Sequence, residues 1–141
     1  MKVTGLNHIT IAVSDLERSL AFYRDILGMQ LRAVWDSGAY LEAGAVWICL
    51  SADPAARRMP HPDYTHIAFS VSDEDFTEFA GKIRDASSIW KDNSSEGDSI
   101  YFLDPDGHKL ELHLGTLESR LQHYRENSFA SLQIIEDAQE S

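Results

Sequence analysis

Apolar and polar residues alternate along several short stretches of the chain, and turn-forming residues separate one stretch from the next. In the first stretch, NHITIAV, the residues His8, Thr10 and Ala12 share one face, and the apolar residues between them share the other. Successive side chains of a β-strand lie on opposite faces of its sheet. The pattern therefore predicts a half-buried strand over residues 7–13.

A helical period follows this strand. Ser14, with Glu17 three residues later, forms the pattern of a capping box at the start of a helix. Gly28 is typical of a helix C-terminus. The apolar positions between them recur at helical spacing, at Leu16, Leu20, Tyr23 and Leu27. Three strand-like runs follow, at residues 30–35, 39–42 and 46–50.

The same succession of elements occurs again after a linker that contains three prolines. The stretch YTHIAFSV repeats the first strand, with His66 at the position of His8, and a Ser-Asp pair follows both strands. A second helical pattern comes next, and further strand-like runs end at His113. Internal repetition indicates a repeated structural unit. We therefore predict an α+β fold of tandem βαβββ modules.

The predicted boundaries give a single domain, 1–129, and an acidic tail, 130–141. Its parts are module one at about 4–51, a linker at 52–63, module two at 64–115 and a C-terminal helix at 116–126. Arg120 lies on the apolar stripe of this last helix. An inward-facing arginine needs an anion, and we consider Glu42, Glu118 or a bound ligand as its partner.

Composition excludes several classes of partner. The chain has 141 residues, 43% of them hydrophobic, and a net charge of −11, so neither nucleic acid nor an anionic membrane surface is expected to bind. No apolar run is long enough to span a membrane, and the N-terminus lacks the apolar core of a signal peptide. Cys49 is the only cysteine, which favours a reducing, cytoplasmic location.

Glu111 is the first candidate for chemistry, because it lies in the last predicted strand between Leu110 and Leu112 and faces away from both. A carboxylate on an internal strand needs a partner, since burying an unpaired charge is very unfavourable. His8 and His66 occupy equivalent positions in the two modules. Two imidazoles and one carboxylate form a common three-ligand site for Zn²⁺, Mn²⁺ or Fe²⁺.

Two alternatives stay open at this point. His113 shares the face of Glu111 and is a rival ligand. The histidines can also be hydrogen-bonded core residues that bind no metal. The segment DPDGH is interpreted as a turn, because it lacks the later acidic positions of a calcium-binding loop.

Four stretches of the chain are distinctive: NHITIAVSDLERSLAFYRDILGM, WDSGAYLEAG, DYTHIAFSVS and WKDNSSEGDSIYFLDPDGHKLELHLGTLESRL. They resemble the fosfomycin-resistance glutathione transferases of the vicinal oxygen chelate superfamily. The resemblance covers about residues 4–129. Its most specific part is the NxSEGxS loop together with the strand pair FLDPDGHKLELH.

The resemblance implies a metal site divided between two subunits of a homodimer that exchanges modules. His8, His66 and Glu111 match the family's Mn²⁺ ligands, with His8 from one subunit and the other two from its partner. Zn²⁺ or another divalent metal is the alternative in the purified protein. Thr10 matches a threonine close to the epoxide oxygen of the substrate.

The resemblance also implies how the substrates are held. Positions that match the phosphonate site are Lys91, Ser95, Ser99, Tyr101 and Arg120. Positions that match a K⁺-binding loop are Asn93, Ser95, Glu96, Gly97 and Ser99. Positions that match the substrate and thiol pockets are Trp35, Tyr40, Trp47, Cys49 and Tyr64. Catalytic roles are expected for Thr10, Lys91, Tyr101 and Arg120.

The implied activity is a metal- and K⁺-dependent addition of glutathione to fosfomycin, which opens the epoxide and inactivates the antibiotic. Two departures from the family pattern bear on the thiol: Ser94 replaces the usual arginine, and Phe129 replaces the usual tyrosine. Bacillithiol or cysteine are alternative thiols, because two stretches also resemble bacillithiol-dependent transferases. A carboxylate base that related epoxide hydrolases need is missing from residues 37–39. A metal-free drug-sequestering protein of the same fold is the alternative outside enzymology.

Overall fold

The structure, a computed structural model, describes residues 1–136. Its strands are β1 (His8–Val13), β2 (Gln30–Trp35), β3 (Gly38–Ala43), β4 (Val46–Ala52), β5 (Ile67–Ser70), β6 (Ile89–Lys91), β7 (Asp98–Leu103) and β8 (Lys109–Leu114). Its helices are α1 (Leu16–Ala21), which continues as a π-helical turn (Phe22–Ile26), α2 (Asp73–Ala86) and α3 (Leu117–Glu126). The predicted acidic tail continues into residues 137–141, outside this range.

The strands form two four-stranded sheets of identical topology. Their orders are β1-β4-β3-β2 and β5-β8-β7-β6, and in each the first and last strands of a module pair in parallel. The predicted α+β fold of tandem βαβββ modules is thereby confirmed. Thr10 lies opposite Cys49 in the first sheet, and Ala68 lies opposite Glu111 in the second. Cys49 therefore occupies in module one the place that Glu111 occupies in module two.

Both modules contribute to one hydrophobic core. Phe22 from the π-helical turn packs on Phe102 of β7 and on the ring of Tyr23, and Ile83 of α2 is completely buried in the same cluster. This core covers one face of each sheet, because α1 and α2 lie on that side. The other faces stay open, with Trp35 and Tyr40 of the first sheet more than two-fifths exposed (43% and 42%). Exposed aromatic clusters of this kind mark a surface that binds a ligand or another chain.

The first helix begins differently from the prediction. Asp15, and not Ser14, is the N-cap of α1, and its carboxylate accepts a hydrogen bond from the backbone N–H of Arg18 at 3.1 Å. The capping box of Ser14 and Glu17 is therefore wrong. Ser14 instead donates its backbone N–H and its hydroxyl to Asp106, which lies in the turn before β8. A tertiary contact has replaced the local one.

The turn between β7 and β8 joins the two modules through buried polar groups. Asp104 accepts hydrogen bonds from the backbone N–H groups of Asp106 (2.9 Å) and His108 (2.8 Å) and from the Tyr23 hydroxyl (2.7 Å). His108 Nε2 donates to the carbonyl oxygen of Ala12 at 2.7 Å. Burial raises the pKa of the Asp104 carboxyl, and burial beside Asp104 raises the pKa of the Tyr23 phenol. The segment that was predicted to be a plain turn thus fixes the two modules against each other.

Among residues 1–136, no helix combines the length and the apolar character that a membrane crossing requires.

We expect Tyr23→Phe to lower the free energy of unfolding by about 1–3 kcal/mol at neutral pH, because buried Asp104 loses a donor. The pKa of Asp104 is already raised in the folded state, so its ionised form destabilises the fold above that pKa. The Tyr23 hydroxyl lowers the pKa, and its loss raises the pKa further. The loss in free energy of unfolding relative to wild type should therefore become smaller as the pH falls through the folded-state pKa of Asp104. Urea unfolding at neutral and at mildly acidic pH would measure it.

Tyr124→Phe is the matched control, because Tyr124 is only half-buried on α3 and packs edge-to-face on Phe129. An equal loss of stability in both variants, with the same dependence on pH, would contradict the role given to the Tyr23–Asp104 hydrogen bond.

Candidate metal and anion site

His66 and Glu111 meet on the open face of the second sheet. His66 directly precedes β5, and its Nε2 lies 3.0 Å from Glu111 Oε1. Its Nδ1 lies 2.8 Å from the carbonyl oxygen of Tyr64, to which an Nδ1–H would donate. A carbonyl oxygen only accepts, so a neutral His66 presents the lone pair of Nε2 to a carboxylate oxygen. Metal-binding histidines are commonly oriented in this way, and two facing acceptors are a suitable place for a cation.

Glu111 is almost completely buried, with 6% of its surface exposed. Its second oxygen, Oε2, accepts a hydrogen bond from the Ser99 hydroxyl at 2.6 Å. The flanking Leu110 and Leu112 belong to the hydrophobic core, as the alternation in β8 requires. One carboxylate oxygen is thus held by the protein, and the other is directed to the open face.

His8 lies on the other sheet and does not join this pair within one chain. Its Nδ1 is 2.7 Å from Asn7 Oδ1, and its ring stacks on Trp47 with 4.6 Å between the centroids. Across residues 1–136 no three His, Cys, Asp or Glu side chains are close enough to hold one metal ion. A single chain therefore assembles two of the three predicted ligands, and the exposed ring of His8 is available to another molecule.

Lys91 lies beside the histidine and the carboxylate, among aromatic rings. Its Nζ donates to the Tyr64 hydroxyl at 2.5 Å and lies 4.7 Å from the centroid of the Tyr101 ring. The hydrogen bond to Tyr64 raises the pKa of Lys91, so this ammonium stays charged at neutral pH. Trp90 holds the neighbouring rings of His66 and Tyr101 in place, because its own Nε1 is tied to the carbonyl of Leu110 at 3.0 Å.

The loop before β7 is closed by Asn93. Its Oδ1 accepts from the Ser95 backbone N–H at 3.1 Å, and its Nδ2 donates to the carbonyl of Gly97 at 2.8 Å. Gly97 has φ of 79°, and a Cβ there would lie 2.5 Å from the carbonyl of Leu114, so only glycine fits. The Ser95 hydroxyl points to the Tyr101 hydroxyl at 3.4 Å, which brings the loop to the same face as Lys91.

Arg120 points inward from α3, as predicted, but its partner is neither Glu42 nor Glu118. Its Nε donates to Glu96 Oε2 at 3.2 Å. Glu42 pairs with Arg32, and Glu118 pairs with another arginine of its own helix. The partner was not predicted because Glu96 lies in an irregular loop, where side-chain direction has no sequence period.

Of the remaining predicted residues, all but Tyr64 lie on the open face of the first sheet. Thr10 pairs in register with Cys49, and Cys49 pairs with Tyr40. The ring of Tyr40 packs edge-to-face on both tryptophans, with 4.9 Å between its centroid and that of Trp35 and 6.4 Å to that of Trp47. Within one chain this aromatic surface is separate from Tyr64, which belongs to the second sheet.

Two residues of the site were not assigned roles from sequence. Trp90 was given no role, although it directly precedes Lys91. His113 was considered only as a metal ligand, but its Nδ1 lies 2.6 Å from the Ser99 hydroxyl and 3.4 Å from Glu111 Oε2. The alternation of β8 had placed it on the correct face.

The repeated fold and this site define the class of protein. Residues 5–112 match the model of the Glyoxalase/Bleomycin resistance protein/Dioxygenase superfamily, and the chain belongs to that superfamily. Glutathione transferase FosA of Serratia marcescens is 50% identical over 136 residues, which cover 94% of this chain and 96% of that protein. Metallothiol transferase FosB of Staphylococcus haemolyticus is 40% identical over 136 residues, in an alignment that covers 88% of this chain and 93% of that protein.

A solved structure gives the same picture. FosX, a fosfomycin resistance protein of Listeria monocytogenes, was crystallised as a mutant with Mn(II) and 1S,2S-dihydroxypropylphosphonic acid. It is 33% identical, with a TM-score of 0.76, and the alignment covers 87% of this chain and 99% of that one. The resemblance to fosfomycin-resistance proteins of the vicinal oxygen chelate fold is confirmed.

We expect Glu96→Gln to strengthen the binding of a simple oxyanion such as methylphosphonate, because Arg120 would lose its competing carboxylate. The gain should be about 2- to 5-fold, as for a partly exposed ion pair. Isothermal titration without added metal ions would measure it. Asp98→Asn removes the same charge from an exposed position nearby, and equal affinities in the two variants would mean that Glu96 does not compete for the anion.

Proposed function

We propose that this protein is a metal-dependent thiol transferase that opens the epoxide of fosfomycin by adding glutathione, and so confers resistance to the antibiotic. The observation that carries the proposal is the pair of His66 and Glu111, with 3.0 Å between Nε2 and Oε1. The cations Lys91 and Arg120 lie on the same side of the second sheet. The identity of 50% to a glutathione transferase along nearly the whole chain supports the same reaction.

The metal site is proposed to form between two copies of the chain. His66 and Glu111 come from one copy, and His8 comes from the open face of the other. The exposed tryptophans and tyrosines on that face support a homodimer, because a second chain would cover them. In the same dimer the pocket residues of both sheets, Thr10, Trp35, Tyr40, Trp47, Cys49 and Tyr64, would line one cavity.

The residues fit a divalent cation, since they offer two imidazole nitrogens and a carboxylate oxygen. We propose Mn²⁺, with Zn²⁺ as the alternative, and the presence of Mn(II) in the FosX crystal supports this choice. Such a cation supplies Lewis acidity that makes an epoxide C–O bond easier to break. Glu111 would offer Oε1, the oxygen that faces His66, because Ser99 donates to Oε2 in this structure.

The phosphonate of fosfomycin is proposed to lie between Lys91 and Arg120. Two cations with the hydroxyl groups of Ser95 and Tyr101 match a dianion with three oxygens. Ser99 is proposed for the same set, although its hydroxyl already donates to Glu111, so a phosphonate oxygen would compete for that proton. Thr10, exposed beside His8, is proposed to contact the epoxide oxygen.

The loop 93–99 is proposed to bind K⁺ through oxygens of Asn93, Ser95, Glu96, Gly97 and Ser99. Its compact shape supports this, because Asn93 gathers the loop around its own side chain. A cation there would also attract the Glu96 carboxylate, and Arg120 would then be released to the phosphonate. K⁺ dependence would follow from this exchange of partners.

The thiol is proposed to be glutathione. The thiol loses its proton, its sulfur forms a bond to an epoxide carbon, and the C–O bond breaks. The oxygen then takes up one proton, equal to the one that the thiol lost, so the product is a thioether with a hydroxyl group. Bacillithiol and cysteine are the alternatives, because Ser94 lacks the charge of the usual arginine and the chain is 40% identical to a metallothiol transferase. Sequestration of the drug without turnover is the alternative outside enzymology.

Turnover of fosfomycin with Mn²⁺ and K⁺ present tests the proposal, with glutathione, bacillithiol, cysteine and water compared as nucleophiles. We expect glutathione to be the best substrate. Faster turnover with another thiol would keep the mechanism and replace the donor. Binding of fosfomycin without any turnover, by protein that contains metal, would overturn the proposal in favour of sequestration.

We expect His66→Ala to lower the affinity for Mn²⁺ by at least about 100-fold and to abolish turnover, since an alanine supplies no ligand. His61→Ala in the exposed linker is the control and should behave like wild type. Mn²⁺ affinity would be followed by the electron paramagnetic resonance of the free ion. Tight Mn²⁺ binding by the His66 variant would remove this residue from the site.

A further inference from the structure

His113 is held beside Glu111 but takes no part in the function proposed above. It follows Glu111 by two residues in β8, and its ring lies against two glycines. A Cβ at Gly97 would lie 3.0 Å from its Cε1, and a Cβ at Gly115 would lie 2.7 Å from its Nε2. Both glycines have positive φ, of 79° and 153°, so the backbone on either side is shaped around this ring. Such a fit indicates that the position of the ring matters.

The hydrogen-bonding capacities of its neighbours determine where His113 carries its proton. The Glu111 carboxylate can only accept, so Ser99 donates its hydroxyl proton to Oε2 at 2.6 Å. The Ser99 oxygen must then accept from His113 Nδ1, which lies at 2.6 Å. The His113 proton is therefore on Nδ1.

The other nitrogen of the ring faces a donor. Arg120 Nη2 lies 3.5 Å from His113 Nε2, and a guanidinium has no acceptor. Nε2 therefore presents a lone pair, and the ring is the neutral Nδ1–H tautomer. The geometry favours this arrangement over a direct ion pair between His113 and Glu111. His113 Nδ1 is 3.4 Å from Glu111 Oε2, whereas the Ser99 hydroxyl oxygen is 2.6 Å from each of these two atoms.

We propose that His113 is a positioning residue that links the anion-binding arginine to the metal-binding carboxylate. Hydrogen bonds run in one direction, from Arg120 to His113, from His113 to Ser99 and from Ser99 to Glu111. We call these three hydrogen bonds the relay. Chains of this kind polarise one another, so each member strengthens the next. The inference rests on the proposed function for the roles of Glu111 and Arg120, but not for the direction of the hydrogen bonds.

The relay has two consequences for the site. It occupies Glu111 Oε2, so Oε1 alone faces His66. It also makes the orientation of Arg120 depend on the His113 ring. Binding of a metal ion at Glu111 and binding of an anion at Arg120 would therefore both depend on His113. Loss of a hydrogen-bonding partner behind a metal ligand typically lowers metal affinity by about 10- to 100-fold.

Nitrogen-15 NMR of the metal-free protein tests the relay directly, whatever the enzyme catalyses. His113→Ala identifies the signals of His113. We expect its Nδ1 to carry the proton and its Nε2 to be unprotonated, and we expect Ser99→Ala to shift the Nδ1 signal most. An Nε2–H tautomer or a doubly protonated ring would overturn the proposal.

Two conservative variants separate the two ends of the relay. His113→Asn places an amide donor near the position of Nδ1 and keeps the bond to Ser99, whereas His113→Gln extends an acceptor towards Arg120 and loses that bond. Binding of Mn²⁺ alone should weaken about 10- to 100-fold in His113→Gln and less than about 3-fold in His113→Asn. Binding of methylphosphonate should show the opposite order. Equal effects of both variants on both ligands would indicate a merely structural role and would overturn the proposal.

Ser99→Ala provides the check on additivity. If Ser99 and His113 act as one chain, the double variant Ser99→Ala with His113→Gln should bind Mn²⁺ no more weakly than Ser99→Ala alone. If the losses of Mn²⁺ affinity in the two single variants add up in the double variant, Ser99 and His113 do not act through one series of hydrogen bonds. Wild-type protein that binds no Mn²⁺ would refute the proposed metal site instead, while the NMR result would still decide the relay.

Discussion

The burial of one carboxylate organises the active face of this protein. Glu111 is in the middle of a strand whose neighbouring residues belong to the core, and almost none of its surface reaches solvent. A buried carboxylate must be given donors or a cation, because the free energy of leaving its charge uncompensated is large. Ser99 supplies a donor to one oxygen, while the imidazole of His66 brings only a lone pair to the other if the ring is neutral. The arrangement is suited to a cation at that position.

A second constraint comes from the repeated module. Each sheet has one face buried by helices, and the two helical layers merge into a single core. Within residues 1–136 the opposite face of the first sheet leaves Trp35, Tyr40 and Trp47 partly exposed. The division of the candidate ligands between the two open faces follows from this architecture. His8 is at the same position in module one as His66 in module two, and both therefore lie on open faces.

The electrostatics of the site oppose those of the whole chain. The net charge is −11, yet Lys91 and Arg120 bring two cations to the open face of the second sheet. Lys91 is held by a hydroxyl and by aromatic rings, and no carboxylate of residues 1–136 forms an ion pair with it. Arg120 is paired with Glu96, a residue of the loop before β7. Of the two cations, Arg120 alone is engaged by a carboxylate among the described residues, and Lys91 is engaged by a hydroxyl.

Much of the fold was predictable because it depends on short-range periodicity. Alternation placed Glu111 opposite its flanking leucines, and the repeat placed His66 where His8 had been. Predictions that depended on the partner of a polar side chain were less secure. Ser14 was predicted to cap its own helix, but it donates to Asp106, 92 residues away. Arg120 was correctly predicted to point inward, but its carboxylate partner is Glu96 and neither Glu42 nor Glu118.

The sequence by itself determined the module repeat, the faces of the strands and the residue types of the candidate site, because each of these depends on spacing along the chain. Only the tertiary structure decided which polar groups meet, since hydrogen bonds such as those from Ser99 to Glu111 and from Tyr23 to Asp104 join residues with no fixed spacing. It also decided that the ligands do not all meet within one chain. Within residues 1–136, α1 and α2 pack on one face of each sheet to form a single core, and this packing leaves His8 and His66 on different surfaces.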